Sequence, residues 1–279
     1  MSTIRAAVVQ LRTPATLDAA LAHAEPLVRE AAARGATLIV TPEAANIVQK
    51  DRAKLAEQIT SLDRDPVVQG LARLAGELKV QLVIGSALVR REDGGFANRS
   101  VLVGPDGTVQ ASYDKIHMFD VDLPNGERYR ESSVYVPGER AVLAPTPLGP
   151  LGLTVCYDMR FPELYRSLAR AGAVAMAVPA AFTRPTGEAH WETLLRARAI
   201  ETGAYVLAAA QGGFHEDGRG TWGRSLIVGP WGDILARSDD DEPGVFIADL
   251  DSEAVAKARA AIPALANERA FAAPSLGAP

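Results

Sequence analysis

Leu102–Tyr113 reads LVGPDGTVQASY and Ile227–Ser238 reads IVGPWGDILARS. Each is an apolar run, a Gly-Pro-x-Gly turn and a second extended arm. Proline presets the φ that opens such a turn, and glycine takes the left-handed conformation that closes it. Two copies of one strand–turn–strand unit predict two similar halves. A lone hairpin is marginal in water and needs a packed face, so the halves are expected to pack sheet to sheet. Helices alternating with the strands would then cover the outer faces. The predicted class is α/β, with helices outside and two sheets inside.

The rest of the chain alternates in the same sense. Ile4–Gln10, Thr37–Val40, Val80–Arg90 and Arg99–Val103 predict strands, as do Val174–Pro179, Ala204–Gln211 and Val245–Leu250. Leu17, Leu21, Ala24, Leu27, Val28 and Ala31 recur at helical spacing up to Gly35, and Pro26 inside that pattern predicts a kink. Asp65 and Pro66 open a second helix that runs to about Lys79. Further helices are expected over Phe161–Arg170, Glu188–Thr202 and Ser252–Ala261, with short extended pieces at Val134–Pro137 and Ala141–Pro145. No linker composition divides the chain, so 1–271 reads as one domain and 272–279 as a tail. The apolar residues after about Ala266 are expected to pack on a neighbour.

The single cysteine, Cys156, lies in GPLGLTVCYDMRFPEL. Leu151, Leu153 and Val155 alternate with smaller residues as a strand does, and Pro162 sits in the first turn of the helix that follows. Cys156 therefore stands on a strand-to-helix turn, where a nucleophile is held beside backbone N–H groups. A lone cysteine is ordinarily a small buried hydrophobe. Two other residues change that balance. Glu43 directly follows ATLIVTP and Lys115 directly follows TVQASYD, so all three stand where an apolar strand ends. Sites in α/β sheets gather at those ends. Singly, Glu43 reads as a helix N-cap partner and Lys115 as a solvated lysine. Together with the sole cysteine they make an acyl-transfer set. A thiol with a pKa of about 8.5 needs a base. A carboxylate among apolar strand ends is expected to have a raised pKa and to accept the proton. An ammonium holds that carboxylate and stabilises an oxyanion together with the Tyr157 N–H.

These residues lie in VTPE (Val40–Glu43), YDKIHMFDVDL (Tyr113–Leu123) and CYDMRFPEL (Cys156–Leu164). On those motifs the chain, from its first strand to about Phe271, resembles the nitrilase superfamily of carbon–nitrogen hydrolases. GEAHWETLLRARAIET (Gly187–Thr202) and YVLAAAQ (Tyr205–Gln211) make it most similar to the deaminated glutathione amidase branch. The resemblance implies a four-layer α-β-β-α sandwich, which agrees with the repeated hairpin. It implies Glu43 as general base, Lys115 as oxyanion stabiliser and Cys156 as nucleophile. It also implies a second glutamate after the lysine, Glu131 with Glu127 as rival. Arg160, four residues past the cysteine, is implied to face a substrate carboxylate, with Tyr157 beside it. The alternative for Arg160 is a salt bridge to Glu163 or Asp158, with Arg184 and Arg130 as rival anchors.

The implied reaction is hydrolysis of the amide of a small carboxylate-bearing substrate through a Cys thioester with release of ammonia. Deaminated glutathione is the leading substrate, and an ω-amidase acting on 2-oxoglutaramate or a related 2-oxo acid amide is the alternative. True nitrilases usually carry Trp-Glu after the cysteine and carbamoylases Asn, where this chain has Tyr157 and Asp158. A papain-like hydrolase needs a histidine partner, and nothing marks His23, His117, His190 or His215 as one. A noncatalytic binding protein of this fold is free to lose any of the three reactive residues, and none is missing. His117, two residues past Lys115, is expected on the opposite face of an extended segment, and His190 and Trp191 as cap and core residues.

A net charge of −5 without clustered Lys and Arg argues against nucleic acid. Scattered histidines and one cysteine argue against a metal site, and no cofactor is expected. MSTIRAAVVQ reads as a strand rather than a signal peptide, and no apolar run approaches the roughly 20 residues of a membrane span. The expectation is a cytoplasmic, membrane-free protein with a small-molecule amide as partner. A homodimer or larger homo-oligomer is expected through the helix after Cys156, where Leu164, Leu168 and Ala169 form an apolar stripe.

Overall fold

The computed structural model describes residues 2–273. The first half of the chain forms β1 (Thr3–Gln10), α1 (Leu17–Ala33), β2 (Leu38–Val40), α2 (Arg52–Gln58), α3 (Pro66–Leu78), β3 (Gln81–Arg90), β4 (Phe96–Val103) and β5 (Val109–Asp114). A small hairpin follows, β6 (Asp120–Asp122) and β7 (Arg128–Arg130). The second half forms β8 (Val142–Ala144), β9 (Leu151–Leu153), α4 (Pro162–Arg170), β10 (Ala175–Ala177), α5 (Arg184–Thr202) and β11 (Tyr205–Ala208). A second small hairpin, β12 (Gly212–Phe214) and β13 (Gly220–Trp222), precedes β14 (Leu226–Val228), β15 (Ile234–Arg237), β16 (Gly244–Asp251) and α6 (Ser252–Ala261).

Two six-stranded sheets result, ordered β16-β1-β2-β3-β4-β5 and β8-β9-β10-β11-β14-β15. Their pairing is the same strand for strand. Each has a parallel trio, β1-β2-β3 or β9-β10-β11, flanked by one antiparallel strand on one side and an antiparallel hairpin on the other. The repeated sequences are those hairpins, β4–β5 and β14–β15, and both carry a register slip at the turn.

Alternation along β1 shows how the layers form. Ala7 and Val9 face out and pack under α1 and α3, with Ala24, Val28, Val68 and Leu71. Ile4, Ala6 and Val8 face the other way, into a core shared with Leu153, Met176 and Leu207 of the second sheet. The same core takes in Leu164 and Leu168 of α4 and Trp191 and Leu195 of α5. Helices therefore cover both outer faces, giving the α-β-β-α sandwich. Each fully buried Val, Leu or Ile contributes roughly 1.5–3 kcal/mol, so the two interlayer cores dominate stability.

Several expected boundaries move. The helix expected from Glu188 begins at Arg184, with Pro185 in its first turn. Val134–Pro137 forms only a bridge, Tyr135 to Phe96. Helix α1 runs unbroken through Pro26. Leu164, Leu168 and Ala169 are all buried within this chain, Leu168 against Gly152 of β9, so the stripe expected to face a second copy packs inward. Glu268 pairs with Arg166 and Arg170 of α4, so the tail turns back on its own chain at that point. Residues 274–279, most of the expected tail, lie outside the described residues.

Candidate active site

After β2 the chain turns through Thr41 and Pro42 and presents Glu43 from the loop before α2. Ser86 fixes that loop, its hydroxyl accepting from the Ala44 N–H at 2.8 Å and its carbonyl from the Ala45 N–H at 2.8 Å. The close approach requires Gly85, because a Cβ there would lie 1.8 Å from the Thr41 carbonyl oxygen and 2.5 Å from Pro179 Cβ. Pro179 belongs to the loop after β10, so strand ends of both sheets meet at this point.

Cys156 opens a short 3-10 turn, Cys156–Arg160, directly after β9. Its φ is +52°, and Ala44, next to Glu43, has φ +54°. Left-handed backbone at a residue bearing a Cβ costs about 1–2 kcal/mol. At Cys156 a hydrogen bond from its N–H to the Pro179 carbonyl, 2.8 Å, helps hold the conformation. The thiol is buried beside the Glu43 carboxylate. The Tyr157 N–H donates to no acceptor among the described residues.

Lys115 follows β5, its N–H held by the Asn98 carbonyl at 2.9 Å. Its side chain is 2% exposed. Nζ donates to Glu43 Oε1 at 2.9 Å and to Glu131 at 3.0 Å (Oε1) and 2.8 Å (Oε2). Asn98 Nδ2 spans the same two carboxylates, 2.9 Å from Glu43 Oε1 and 3.2 Å from Glu131 Oε1. The Ala181 N–H donates to Glu43 Oε2 at 2.9 Å, and the Phe119 N–H to Glu131 Oε2 at 2.6 Å. Glu43, Lys115, Cys156 and Glu131 thus form one cluster. Glu127 does not join it, lying exposed in the β6–β7 turn with Tyr129 Oη donating to it at 3.2 Å.

The electrostatics correct one expectation. Burial pushes the Glu43 carboxyl up, but the Lys115 charge, the neighbouring Cys156 thiol and hydrogen bonds from Lys115 and Asn98 outweigh it and hold Glu43 below the usual carboxylate range. Burial pushes the Cys156 thiol well above its ordinary value, and the Glu43 charge adds to this. Burial opposes the charge on Lys115, yet the Glu131 and Glu43 carboxylates raise it well above a free lysine. The resting cluster is therefore a neutral thiol beside an ionised glutamate.

A cavity of about 570 Å³ opens over the cluster, lined among others by Tyr157, Phe119, Tyr135 and Phe182. Arg160 does not line it. Its guanidinium lies over the rings of Tyr157 (5.8 Å) and Phe182 (5.4 Å), which do, and 3.3 Å from His190 Nδ1. Neither Glu163 nor Asp158 pairs with it. Of its rivals, Arg184 pairs with Asp241 and Arg130, which lines the cavity, pairs with Asp122. None of the four histidines hydrogen-bonds to Cys156. His190 is exposed beside Arg160, whereas Trp191 is core and donates to the Arg224 carbonyl at 2.8 Å.

Sequence reading missed Asp158. It is fully buried and takes four hydrogen bonds, from Tyr113 Oη (2.7 Å), the Val155 N–H (2.8 Å), the His117 N–H (3.0 Å) and His117 Nδ1 (2.7 Å). It therefore ties the cysteine turn to the segment carrying Lys115. His117 lies outside the cluster and the cavity lining; the strand ends at Asp114, and its ring meets Asp158 and stacks on Phe161 at 3.6 Å. A buried acid two residues past the cysteine is the signal that was available.

Known proteins bear on this geometry. A family described as carbon–nitrogen hydrolase matches residues 5–260. A deaminated glutathione amidase from a Synechocystis species is 39% identical over 93% of this chain and 96% of its own. Nit3 of Saccharomyces cerevisiae, described as a member of branch 10 of the nitrilase superfamily, superposes with a TM-score of 0.84 at 30% identity, covering 94% of each chain. A mutant amidase from Nesterenkonia sp. AN1, TM-score 0.76 and 29% identical over 95% of this chain and 94% of that one, carries the acetamide moiety of fluoroacetamide added covalently at its active-site cysteine. The match across nearly the whole sandwich makes this chain a member of the carbon–nitrogen hydrolase family, an enzyme acting on carbon–nitrogen bonds other than peptide bonds.

Proposed function

We propose that this enzyme hydrolyses the amide of a small carboxylate-bearing 2-oxo acid, with deaminated glutathione as its substrate. The observation that carries the reading is the buried cluster, in which Lys115 Nζ sits within 3.0 Å of both Glu43 and Glu131 and Glu43 lies beside the thiol of Cys156. The relatives named for deaminated glutathione support the substrate.

In this reading the Cys156 sulfur attacks the amide carbon while its proton passes to Glu43. A raised thiol pKa favours that coupled transfer over a standing thiolate. The oxyanion that forms faces the Tyr157 N–H and the Lys115 ammonium. Glu131 and Asn98 keep Lys115 and Glu43 in place, and Glu131, accepting twice from Nζ, leaves one contact free to turn toward the oxyanion. Glu43 then protonates the amine nitrogen, the C–N bond breaks and a thioester remains. Water, deprotonated by Glu43, attacks the thioester, releasing the acid and returning the proton to sulfur. The amine leaving from a primary amide is ammonia. From deaminated glutathione, whose scissile amide is secondary, it is cysteinylglycine. Arg160, outside the cavity lining and stacked behind Tyr157 and Phe182, backs those two rings rather than meeting the acyl-side carboxylate.

We further read 1–271 as one catalytic domain in a cytoplasmic homo-oligomer, with no nucleic-acid or membrane partner. No helix among the described residues is long and apolar enough to cross a membrane. Exposed Ile200, Trp231 and Ile262, around a groove of about 380 Å³, supply apolar surface for self-association. Light scattering at micromolar concentration should give at least twice the monomer mass, and a monomer would contradict it. The substrate test is a panel of deaminated glutathione, 2-oxoglutaramate, glutamine and a nitrile, with acid and amine products both measured. Deaminated glutathione should have the highest kcat/KM. Preference for 2-oxoglutaramate would make the enzyme an ω-amidase instead.

A further inference from the structure

The cleft is more positive than the protein that carries it. Six cations line it, Lys50, Arg52, Lys115, Arg128, Arg130 and Arg219, against three carboxylates, Glu43, Glu127 and Glu131. The whole chain has a net charge of −5. Most of the cleft's cations are matched. Lys115 is held by Glu43 and Glu131, Arg128 and Arg130 share Asp122, and Arg219 lies on Asp217. Lys50 and Arg52 have no carboxylate within ion-pair distance among the described residues.

Lys50 comes from the loop that begins at Glu43 and Arg52 from the first turn of α2 that ends it, and the loop is well anchored. Ile47 is buried, the Val48 N–H donates to the Pro14 carbonyl at 3.1 Å, and Asp51 caps α2 by accepting from the N–H groups of Ala53 and Lys54. The two cations touch different segments of the lining. Lys50 Nζ approaches Gly218 in the β12–β13 turn, 3.3 Å from where a Cβ would stand. Arg52 Nη2 donates to Ser133 Oγ at 2.7 Å, beside the turn that carries Glu131. Both are exposed, whereas the thiol below them is buried. An amide carbon at that thiol has its acyl group bound deep, and its amine must face the opening to leave and admit water.

We propose that Lys50 and Arg52 form an anion subsite at the cleft mouth that takes a second carboxylate, carried on the leaving amine of the substrate. This rests on the amide-hydrolase reading above and narrows it to substrates anionic at both ends. A guanidinium fork with an ammonium two residues away suits a terminal carboxylate. The two cations without ion-pair partners give the mouth a local positive charge that also draws such a dianion in from solution.

The test compares deaminated glutathione with its C-terminal carboxamide, equal in size but neutral at the distal end, in wild type and in Lys50→Gln/Arg52→Gln. Wild type should favour the carboxylate by roughly tenfold in kcat/KM, the low end for charge-assisted hydrogen bonds because both cations face solvent. The difference should sit in KM, and the double variant should bring the ratio close to one. Equal turnover of both amides by wild type, or a ratio the double variant leaves unchanged, overturns the subsite alone. Failure of wild type to hydrolyse either amide overturns the substrate reading, and the subsite with it.

Discussion

The floor and the mouth of the cleft use the same chemistry, ammonium or guanidinium against carboxylate, in opposite ways. At the floor Lys115 is 2% exposed and bound to two carboxylates, themselves held by Asn98, Ala181 and Phe119. At the mouth Lys50 and Arg52 are exposed and pair with no carboxylate among the described residues. Burial makes each floor contact strong and each missing partner expensive, so Lys115 and its two carboxylates are paired without a substrate. Exposure makes unpaired cations tolerable, so the mouth is free to be completed by one. On the proposed reading the floor sets chemistry and the mouth sets selection, and substitutions should separate them.

The largest expected effect is at the floor. Glu43→Gln removes the proton acceptor and Lys115→Met the oxyanion charge, and each should lower kcat/KM roughly a thousandfold or more. Lys115→Met also leaves two buried carboxylates facing each other and should lose about 3–5 kcal/mol in urea unfolding. A near-normal stability there would weaken the contrast. The pH profile sharpens it, measured on a thiol-free amide. Glu43, held low, is ionised above its pKa, so kcat/KM should be level through neutrality and fall tenfold per unit only below the ordinary carboxylate range. With the thiol raised, no basic limb should appear at its ordinary value of about 8.5. A limb centred there would mean a thiolate mechanism.

Asp158→Asn should fall between floor and mouth. It strands buried donors on Tyr113, Val155 and His117, at about 1–3 kcal/mol for each one left unpaired. The cysteine turn and Lys115 segment should loosen together, lowering kcat ten- to a hundredfold with KM little changed. A KM effect alone would place Asp158 in binding. The smallest effect is salt. Raising ionic strength from about 50 to 300 mM should lower kcat/KM for the dianionic amide a few-fold through screening at the mouth, while kcat, set at the dry floor, stays constant.

Much of this was legible beforehand, for a physical reason. Glu43 and Cys156 each follow an apolar run, and β-sheet periodicity makes such ends visible, whereas Lys115 follows β5, an edge strand that is mostly exposed rather than the buried strand expected. The repeated hairpin exposed the two-sheet plan because turn chemistry is local. Asn98 sits mid-strand and is recognisable only by its partners 55 and 33 residues away. Ala181 acts through its backbone, which no side-chain pattern reports. The sign of the Glu43 shift depends on Lys115 outweighing burial, a balance that exists only after folding. The apolar stripe of α4 had two possible customers, a second copy or the sheet beneath, and only packing chose the sheet.

The most direct test of the central claim is amine release by Cys156→Ala on the preferred amide, with unfolding measured alongside. No release above the uncatalysed rate is expected, in a protein whose melting temperature stays within a few degrees of wild type. Retained turnover in a folded Cys156→Ala variant would contradict it.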